Sequence, residues 1–167
     1  MPGTRQEMAE ERVQLVVFRL GEEEFGVNIL QTRGIHRPPK ITVLPKMPDF
    51  VEGVFNLAGE IIPIVDLRRR FGLGQTAKTA DSRIVIVEVA NAKVGLIVDM
   101  VTETLWVSWD IVAPPPAAVA SIEAEYIQGI AKLEGRLLIL LDLEHILTAG
   151  EHAQVAELGA EVRQAAV

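Results

Sequence analysis

The stretch FVEGVFNLAGEIIPIVDLRRRFG, residues 50–72, decides the fold of this protein. Two apolar runs of strand length flank a turn at Ala58-Gly59, so the stretch predicts a β-hairpin with strands that end near Leu57 and run over 60–67. Pro63 lies inside the second run. Because proline cannot donate a hydrogen bond to a neighbouring strand, it predicts a sheet edge or a bulge at that position.

The same pattern recurs at residues 126–147, YIQGIAKLEGRLLILLDLEHIL. Aligning the two stretches pairs Gly53 with Gly129, Leu57 with Leu133, Gly59 with Gly135, Asp66 with Asp142 and Leu67 with Leu143. The predicted hairpins 14–29 and 83–98 are also alike, with Gly26 matching Gly95. A duplicated unit of short strands with glycine turns predicts two similar β-barrels, in which closure hides the strand edges.

These patterns divide the chain into three parts. Residues 1–12 are charged and lack periodicity, and we expect a flexible arm. Strand runs occupy 13–148, and the polar stretch at 72–82 suggests a first barrel over roughly 13–80 and a second over roughly 81–148. Residues 149–167 have Ala, Glu, Gln and Val at helical spacing and predict a tail or a C-terminal helix.

Composition narrows the class of protein. The chain has no cysteine, which excludes disulfides, thiolate metal sites and cysteine nucleophiles. Its net charge of −7 disfavours general nucleic-acid binding, because phosphates are repelled. The N-terminus lacks the apolar core of a signal peptide, and no window holds about 18 uninterrupted apolar residues. We therefore expect a soluble, cytoplasmic protein.

The polar residues give no pattern of catalysis or metal binding. The histidines lack the close spacing of a metal motif, and no serine lies in a G-x-S-x-G turn. The histidines and serines of the chain are His36, His145, His152, Ser82, Ser108 and Ser121. Asp66 and Asp142 recur at equivalent positions, so we expect them to accept backbone hydrogen bonds at turns. The sequence therefore predicts no catalytic residue, no metal and no cofactor.

Two other motifs carry weak signals. GLGQTAKT at 72–79 approaches a phosphate-binding loop, but Ala77 replaces the second glycine and no helix can follow before the next strand. Arg68, Arg69 and Arg70 could belong to an RNA-binding barrel, but Trp106 and Trp109 are distant and aromatics make up only 5% of the chain. Salt-bridged surface arginines are the favoured alternative.

The remaining candidate is apolar surface for protein docking. The segment 29–35 and the paired prolines Pro38 and Pro39 offer exposed apolar groups beside an expected cleft. Three stretches then identify a family. VFRLGEEEFGVNI, GVFNLAGEIIPIVDLRRRFG and VGLIVDMVTETLWV, with the proline cluster and second repeat after them, resemble the CheW chemotaxis coupling proteins over about residues 13–148.

This resemblance implies an all-β protein of two SH3-like five-stranded barrels, with or without exchange of strands between them, with short helical elements and no catalysis. It implies a scaffold between chemoreceptor tips and the regulatory domain of a CheA-type histidine kinase. The residues carried over to the kinase-facing barrel are Thr32, Ile41 and Gly53. Those carried over to the receptor groove are Asn56, Leu57, Ala58, Gly59, Ile84 and Thr104. A CheW-like regulatory module of another two-component pathway is the alternative.

Two residues depart from the family pattern. Ala58 stands where the family usually has arginine, and Gly34 where it usually has glutamate. Losing each charged group removes contacts worth about 1.5–3 kcal/mol. We therefore expect partners particular to this chain, with Arg33 or Arg37 supplying charge instead.

Overall fold

The computed structural model of the protein describes residues 11–74, 78–115 and 124–146. It is mostly β, as the sequence predicts. The strands are β1 Arg12–Leu20, β2 Glu23–Asn28, β3 Thr32–His36, β4 Val51–Leu57, β5 Glu60–Asp66, β6 Arg83–Val89, β7 Ala92–Val98, β8 Met100–Ser108, β9 Val112–Ala113, β10 Ile127–Leu133 and β11 Arg136–Leu141. The short α-helices are α1 Leu67–Arg70 and α2 Leu143–Ile146, and the 3₁₀ turns are Ile29–Gln31, Trp109–Ile111 and Ala124–Tyr126. None of the helices in these ranges is long and apolar enough to cross a membrane.

The strands form two closed barrels. The central barrel has the order β3-β6-β7-β5-β4, and Thr42 closes it by bridging to Val54 in β4. The terminal barrel has the order β8-β1-β2-β11-β10-β9. Its short strand β9 follows β8 after a single 3₁₀ turn, so β8 and β9 act as one bent strand that closes the sheet. The all-β, two-barrel fold class is confirmed.

The barrels do not follow the two halves of the chain. Hairpin β6–β7 pairs with β3 and, in parallel, with β5. Hairpin β1–β2 pairs with β8 and, in parallel, with β11. The repeats have therefore exchanged hairpins, an alternative that the family resemblance left open, and the strands before and after the expected boundary, β5 and β6, both belong to the central barrel. A division into 13–80 and 81–148 does not separate the sheets, because strand pairing is decided between residues too distant for a local pattern to record.

Hairpin exchange explains why β1 and β6 are apolar almost throughout. On β1, Leu15 and Val17 point into the terminal barrel, whereas Val16 and Phe18 point into a core between the barrels. Strand β6 does the same for the central barrel and the shared core. Strands buried on both faces read as continuous apolar runs. The shared core is the largest of the three clusters, so it joins the barrels into one unit.

The predicted repeat is confirmed by equivalent contacts in each barrel. Gly26 lies opposite Leu140 in one parallel pairing and Gly95 lies opposite Ile64 in the other. The predicted turn role of the two aspartates is also confirmed. Asp66 Oδ1 accepts from Arg68 N at 3.0 Å and caps α1, and Asp142 Oδ1 accepts from Glu144 N at 3.2 Å at the start of α2.

The position of Pro63 agrees with the second of the two predicted alternatives, because the register between β4 and β5 shifts between Val51 and Gly53, beside the residue that faces Pro63. Strand β5 lies between β7 and β4, not at an edge. Pro63 faces Val54, whose backbone N–H and C=O both bond to Thr42 at 2.9 and 2.8 Å. Strand β4 therefore needs no donor from residue 63, and the pairing with β7 begins only at Ile64. Pro63 is tolerated because neither the pairing with β4 nor the pairing with β7 requires a backbone N–H at residue 63.

Candidate functional site

The kinase-facing candidates lie on the central barrel. Ile41 and Gly53 are in contact, since a Cβ added at Gly53 would lie 2.5 Å from Ile41 Cγ2. Ile41 is half-buried against the barrel core, and the adjacent Val43 is 72% exposed. Thr32 begins β3, which lies at the opposite end of the strand order from β4. Its hydroxyl donates to Ile29 O at 2.7 Å. Gly53 is itself buried, so its role is to admit Ile41.

Four receptor candidates form the end of the β4–β5 hairpin. Ala58 and Gly59 have φ of 51° and 87°, which makes the predicted tight turn. Asn56 Oδ1 accepts from Gly59 N at 2.9 Å and fixes that turn. Asn56, Ala58 and Gly59 are exposed and Leu57 is half-buried. The turn therefore presents side chains and backbone to solvent.

The other two receptor candidates are separated. Thr104 is exposed on β8 of the terminal barrel, opposite Val16. Ile84 is 0% exposed inside the central barrel, where its Cγ2 would lie 2.8 Å from a Cβ added at Gly95. Ile84 can therefore affect a surface only through packing. A surface that includes Thr104 and the β4–β5 turn spans both barrels.

The arginine that we expected to supply charge beside Gly34 already has partners within the chain. Arg33, the proposed replacement, donates to Leu30 O at 2.7 Å and pairs with Glu88 at 3.1 Å. Both side chains of that pair are more than a third exposed, so the pair contributes little to stability and a partner can compete for Arg33.

Two arginines of α1, Arg68 and Arg70, connect the barrels, a role that sequence reasoning did not identify. Arg68 pairs with Asp99, at the crossing from β7 to β8, and Asp99 also accepts from Gly21 N at 2.6 Å. Arg69 lies 3.7 Å from Asp66. The favoured interpretation of salt-bridged arginines is therefore confirmed for Arg68 and Arg69.

Arg70 lies between two rings that occupy equivalent repeat positions. Its guanidinium is 4.7 Å from the ring centre of Phe50 and 5.2 Å from that of Tyr126. It also donates to Ile146 O, at the end of α2, at 2.6 Å. Phe50 precedes β4 in the central barrel and Tyr126 precedes β10 in the terminal barrel, so this cation–π contact ties the barrels together. The repeat alignment matches the aromatic residues at positions 50 and 126, and this match was the signal in the sequence that could have identified the contact.

The metal-ligating types of side chain are dispersed in the described ranges. No three metal-ligating side chains there lie close enough to hold an ion. His145 Nδ1 contacts Asp142 Oδ2 at 2.7 Å on the exposed end of α2. Residues 75–77 of the near-P-loop segment, together with Ser121, His152 and the predicted arm and tail at 1–10 and 149–167, lie outside the described residues.

Several large apolar side chains of the described residues are exposed. In the predicted docking segment, Leu30 is 78% exposed and Ile35 is 43% exposed. Trp106 on β8 is 55% exposed and carries the Arg12 guanidinium 5.1 Å from its ring centre. Sequence reasoning did not identify Trp106 as a surface residue. Most residues of β8 are partly or fully exposed, so the strand shows no regular alternation of buried and exposed side chains.

Comparison with known proteins decides the family. The family model of the CheW-like domain matches residues 14–151. This chain belongs to the CheW family. It is 37% identical over 153 residues to the chemotaxis protein CheW of Treponema pallidum, covering 89% of this chain and 90% of that relative. It is 33% identical over 142 residues to CheW of Klebsiella aerogenes, covering 85% and 86%.

A solved CheW structure shares the fold. The scaffolding protein CheW of Thermoanaerobacter tengcongensis aligns with a TM-score of 0.77 at 39% identity, covering 83% of this chain and 90% of that one. The domain also occurs in longer proteins, since this chain is 33% identical to CheV3 of Helicobacter pylori but covers only 47% of it. The CheW fold is thus a scaffold in one neighbour and part of a larger chemotaxis protein in another.

The Asp99 cluster predicts that the stability of this CheW-family protein depends on pH. Burial raises the pKa of Asp99, but hydrogen bonds from Arg68 and Gly21 N and attraction to the guanidinium outweigh it, so the net pKa is lowered. The unfolded value is about 3.9. A lowered native pKa stabilises the fold above that value, and the contribution is lost as pH falls through the native pKa.

We therefore expect Asp99→Asn to reduce the free energy of unfolding by ~1–2 kcal/mol at neutral pH and by less near pH ~3. Urea denaturation at the two pH values measures the difference. The exposed Asp110→Asn changes net charge equally and serves as the control. A loss at Asp99→Asn that is equal at both pH values would contradict the role assigned to this carboxylate.

Proposed function

We propose that this protein is a non-catalytic cytoplasmic scaffold that couples chemoreceptors to a CheA-type histidine kinase in membrane-associated signalling arrays. The observation that carries the proposal is membership of the CheW family over nearly the whole chain. A neighbour described as a scaffolding protein supports a structural rather than an enzymatic role.

The proposed kinase-facing surface is the closing segment of the central barrel. Ile41 and the exposed Val43 flank Thr42, whose backbone is fixed by its bridge to Val54. A rigid apolar patch loses little conformational entropy when it binds. With Gly53 beneath Ile41 and Thr32 on β3, this patch has the apolar character needed for docking against another barrel.

The proposed receptor-binding surface combines the β4–β5 turn with Thr104. Because these residues lie on different barrels, a receptor tip that contacts both would depend on how the barrels are positioned. The Arg68–Asp99 pair and the Arg70 contacts hold that position. Receptor motion would then alter kinase activity by favouring one arrangement of contacts over another.

A CheW-like regulatory module of another chemosensory pathway is the second candidate. It is favoured by the match to CheV3, in which a domain of this kind forms about half of a longer protein. It predicts binding to a different kinase or receptor through the same surfaces.

Titration calorimetry with the regulatory domain of the CheA-type kinase from the same organism tests the proposal. We expect saturable binding in the micromolar range, and an Ile41→Asp variant should bind roughly tenfold more weakly, because a charge would be desolvated in an apolar contact. Val112→Asp is the matched control. Val112 covers Gly129 in the terminal barrel as Ile41 covers Gly53 in the central barrel.

The control variant shows which of the two barrels contributes to binding of the regulatory domain. Val112→Asp should leave binding of the isolated regulatory domain within about twofold of the parent. Equal weakening by both variants would contradict the assignment of the kinase to the central barrel. No binding by the parent protein, with its circular dichroism spectrum showing a folded chain, would instead favour the second candidate.

A further inference from the structure

A groove of about 340 Å³ opens on the terminal barrel beside the β1–β2 turn and the β10–β11 hairpin. Ile130 and Ile139 line it and are only 6% and 7% exposed. Leu137, also in the lining, is 61% exposed. None of the kinase or receptor candidates lines this groove. An exposed leucine above buried isoleucines offers an apolar surface that a partner could cover.

The polar lining of the groove is mostly acidic. Glu22, Glu23 and Glu24 line it, and Arg136 is the basic residue of the lining. Arg136 is shared between two carboxylates, at 3.5 Å from Glu24 Oε1 and 3.0 Å from Glu103 Oε2. Four carboxylates with one guanidinium leave a net negative charge among the lining residues and their ion-pair partners. The groove therefore favours a cationic occupant.

Glu23 supplies an independent indication of a missing donor. Its Oε2 atom is buried and has no hydrogen-bond partner within the described ranges. A buried acceptor that is left unpaired carries a desolvation cost, and rotation of the half-buried Glu23 side chain toward a donor on a bound partner would remove it. A lysine or arginine side chain supplies such a donor together with the complementary charge.

We propose that this groove is an additional docking site for a protein segment that carries a lysine or arginine beside apolar side chains. The basic group would contact Glu22 and Glu23, and the apolar side chains would cover Leu137 and the two isoleucines. Anionic lipids and nucleic acids are disfavoured, because the acidic lining repels phosphate. The site is separate from the surfaces proposed for kinase and receptor, so its failure would leave the coupling function intact.

Amide chemical shifts of the full ¹⁵N-labelled chain test this site with two synthetic peptides. One is acetyl-LKALLKAL-amide, and the other is the same peptide with glutamate in place of each lysine. The lysine peptide should shift the amides of residues 22–24 and 136–139 in a saturable manner, and the glutamate peptide should not. Shifts from both peptides at these amides, or shifts scattered over the whole surface, would overturn the proposal.

Two variants and one control locate the binding energy. Leu137→Ser should weaken binding of the lysine peptide by roughly fivefold, because it removes apolar area. Glu23→Gln keeps the side-chain shape but removes the charge, and should weaken binding by a similar factor. Leu30→Ser is the matched control, since Leu30 is an exposed leucine outside the groove. Equal weakening by Leu30→Ser would also overturn the proposal.

Discussion

Replacing Phe25 with alanine is expected to lower the free energy of unfolding by about 4 kcal/mol. Phe25 is 0% exposed in the core between the barrels, and its ring stacks on those of Phe18 and Phe71 at 5.8 and 5.9 Å. Alanine would leave a cavity that rigid strands on both sides cannot fill. A domain is stable by only about 5–15 kcal/mol, so this is a large fraction of the total.

Urea denaturation followed by circular dichroism measures the effect. Because the shared core belongs to both barrels, we expect a single unfolding transition for the parent protein and for the variant. Phe25→Leu is the control, since it keeps most of the volume and should cost only ~1–1.5 kcal/mol. Two separate transitions, or an alanine variant no less stable than the leucine variant, would show that the barrels do not share this core.

Adding one carbon at Gly53 is expected to disrupt the closure of the central barrel. The Cβ of alanine would lie 2.5 Å from both Ile41 Cγ2 and Thr42 O. Ile41 could rotate, but the carbonyl of Thr42 is fixed by its hydrogen bond from Val54 N at 2.9 Å. We expect Gly53→Ala to reduce the free energy of unfolding by about 3 kcal/mol and to weaken kinase binding, because the Ile41 segment is displaced.

Gly26→Ala provides the matched control for Gly53→Ala. Gly26 is also buried in a strand, but an added Cβ would meet the Leu15 side chain, at 3.1 Å from Cδ1. A side-chain methyl can move where a bonded carbonyl cannot, so we expect a cost of less than ~1 kcal/mol. Similar losses of stability in the two variants would show that the contact with Thr42 is not what makes residue 53 a glycine.

Local patterns were sufficient for the strands, the turns and the duplication. The turn signal at Ala58-Gly59 separates the apolar runs of β4 and β5. A glycine recurs 76 positions later, between the apolar runs of β10 and β11. Each of these features depends on neighbouring residues, so a sequence records it directly. The capping roles of Asp66 and Asp142 were predictable for the same reason, because a side chain that bonds its own turn acts locally.

The candidate site was only partly predictable. Family resemblance named positions, and the structure places Ile41 over Gly53 and Ala58 on an exposed turn. It also buries Ile84 completely. An isoleucine in a strand that is apolar on both faces gives no indication of whether it points to solvent or to a core. The bridging role of Arg70 was equally hidden, since its partners are 20 and 56 residues away in the sequence.

Residue patterns alone establish that this protein consists of two similar β units and that it belongs to the CheW family. Tertiary structure alone decided which hairpin completes which barrel, how Arg68 and Arg70 join the barrels, and that Leu137 stands exposed in a groove with a mostly acidic polar lining. The physical reason is that β1–β2 and β6–β7 are both apolar on two faces. Either hairpin therefore suits either barrel locally, and the choice depends on long-range strand pairing and packing.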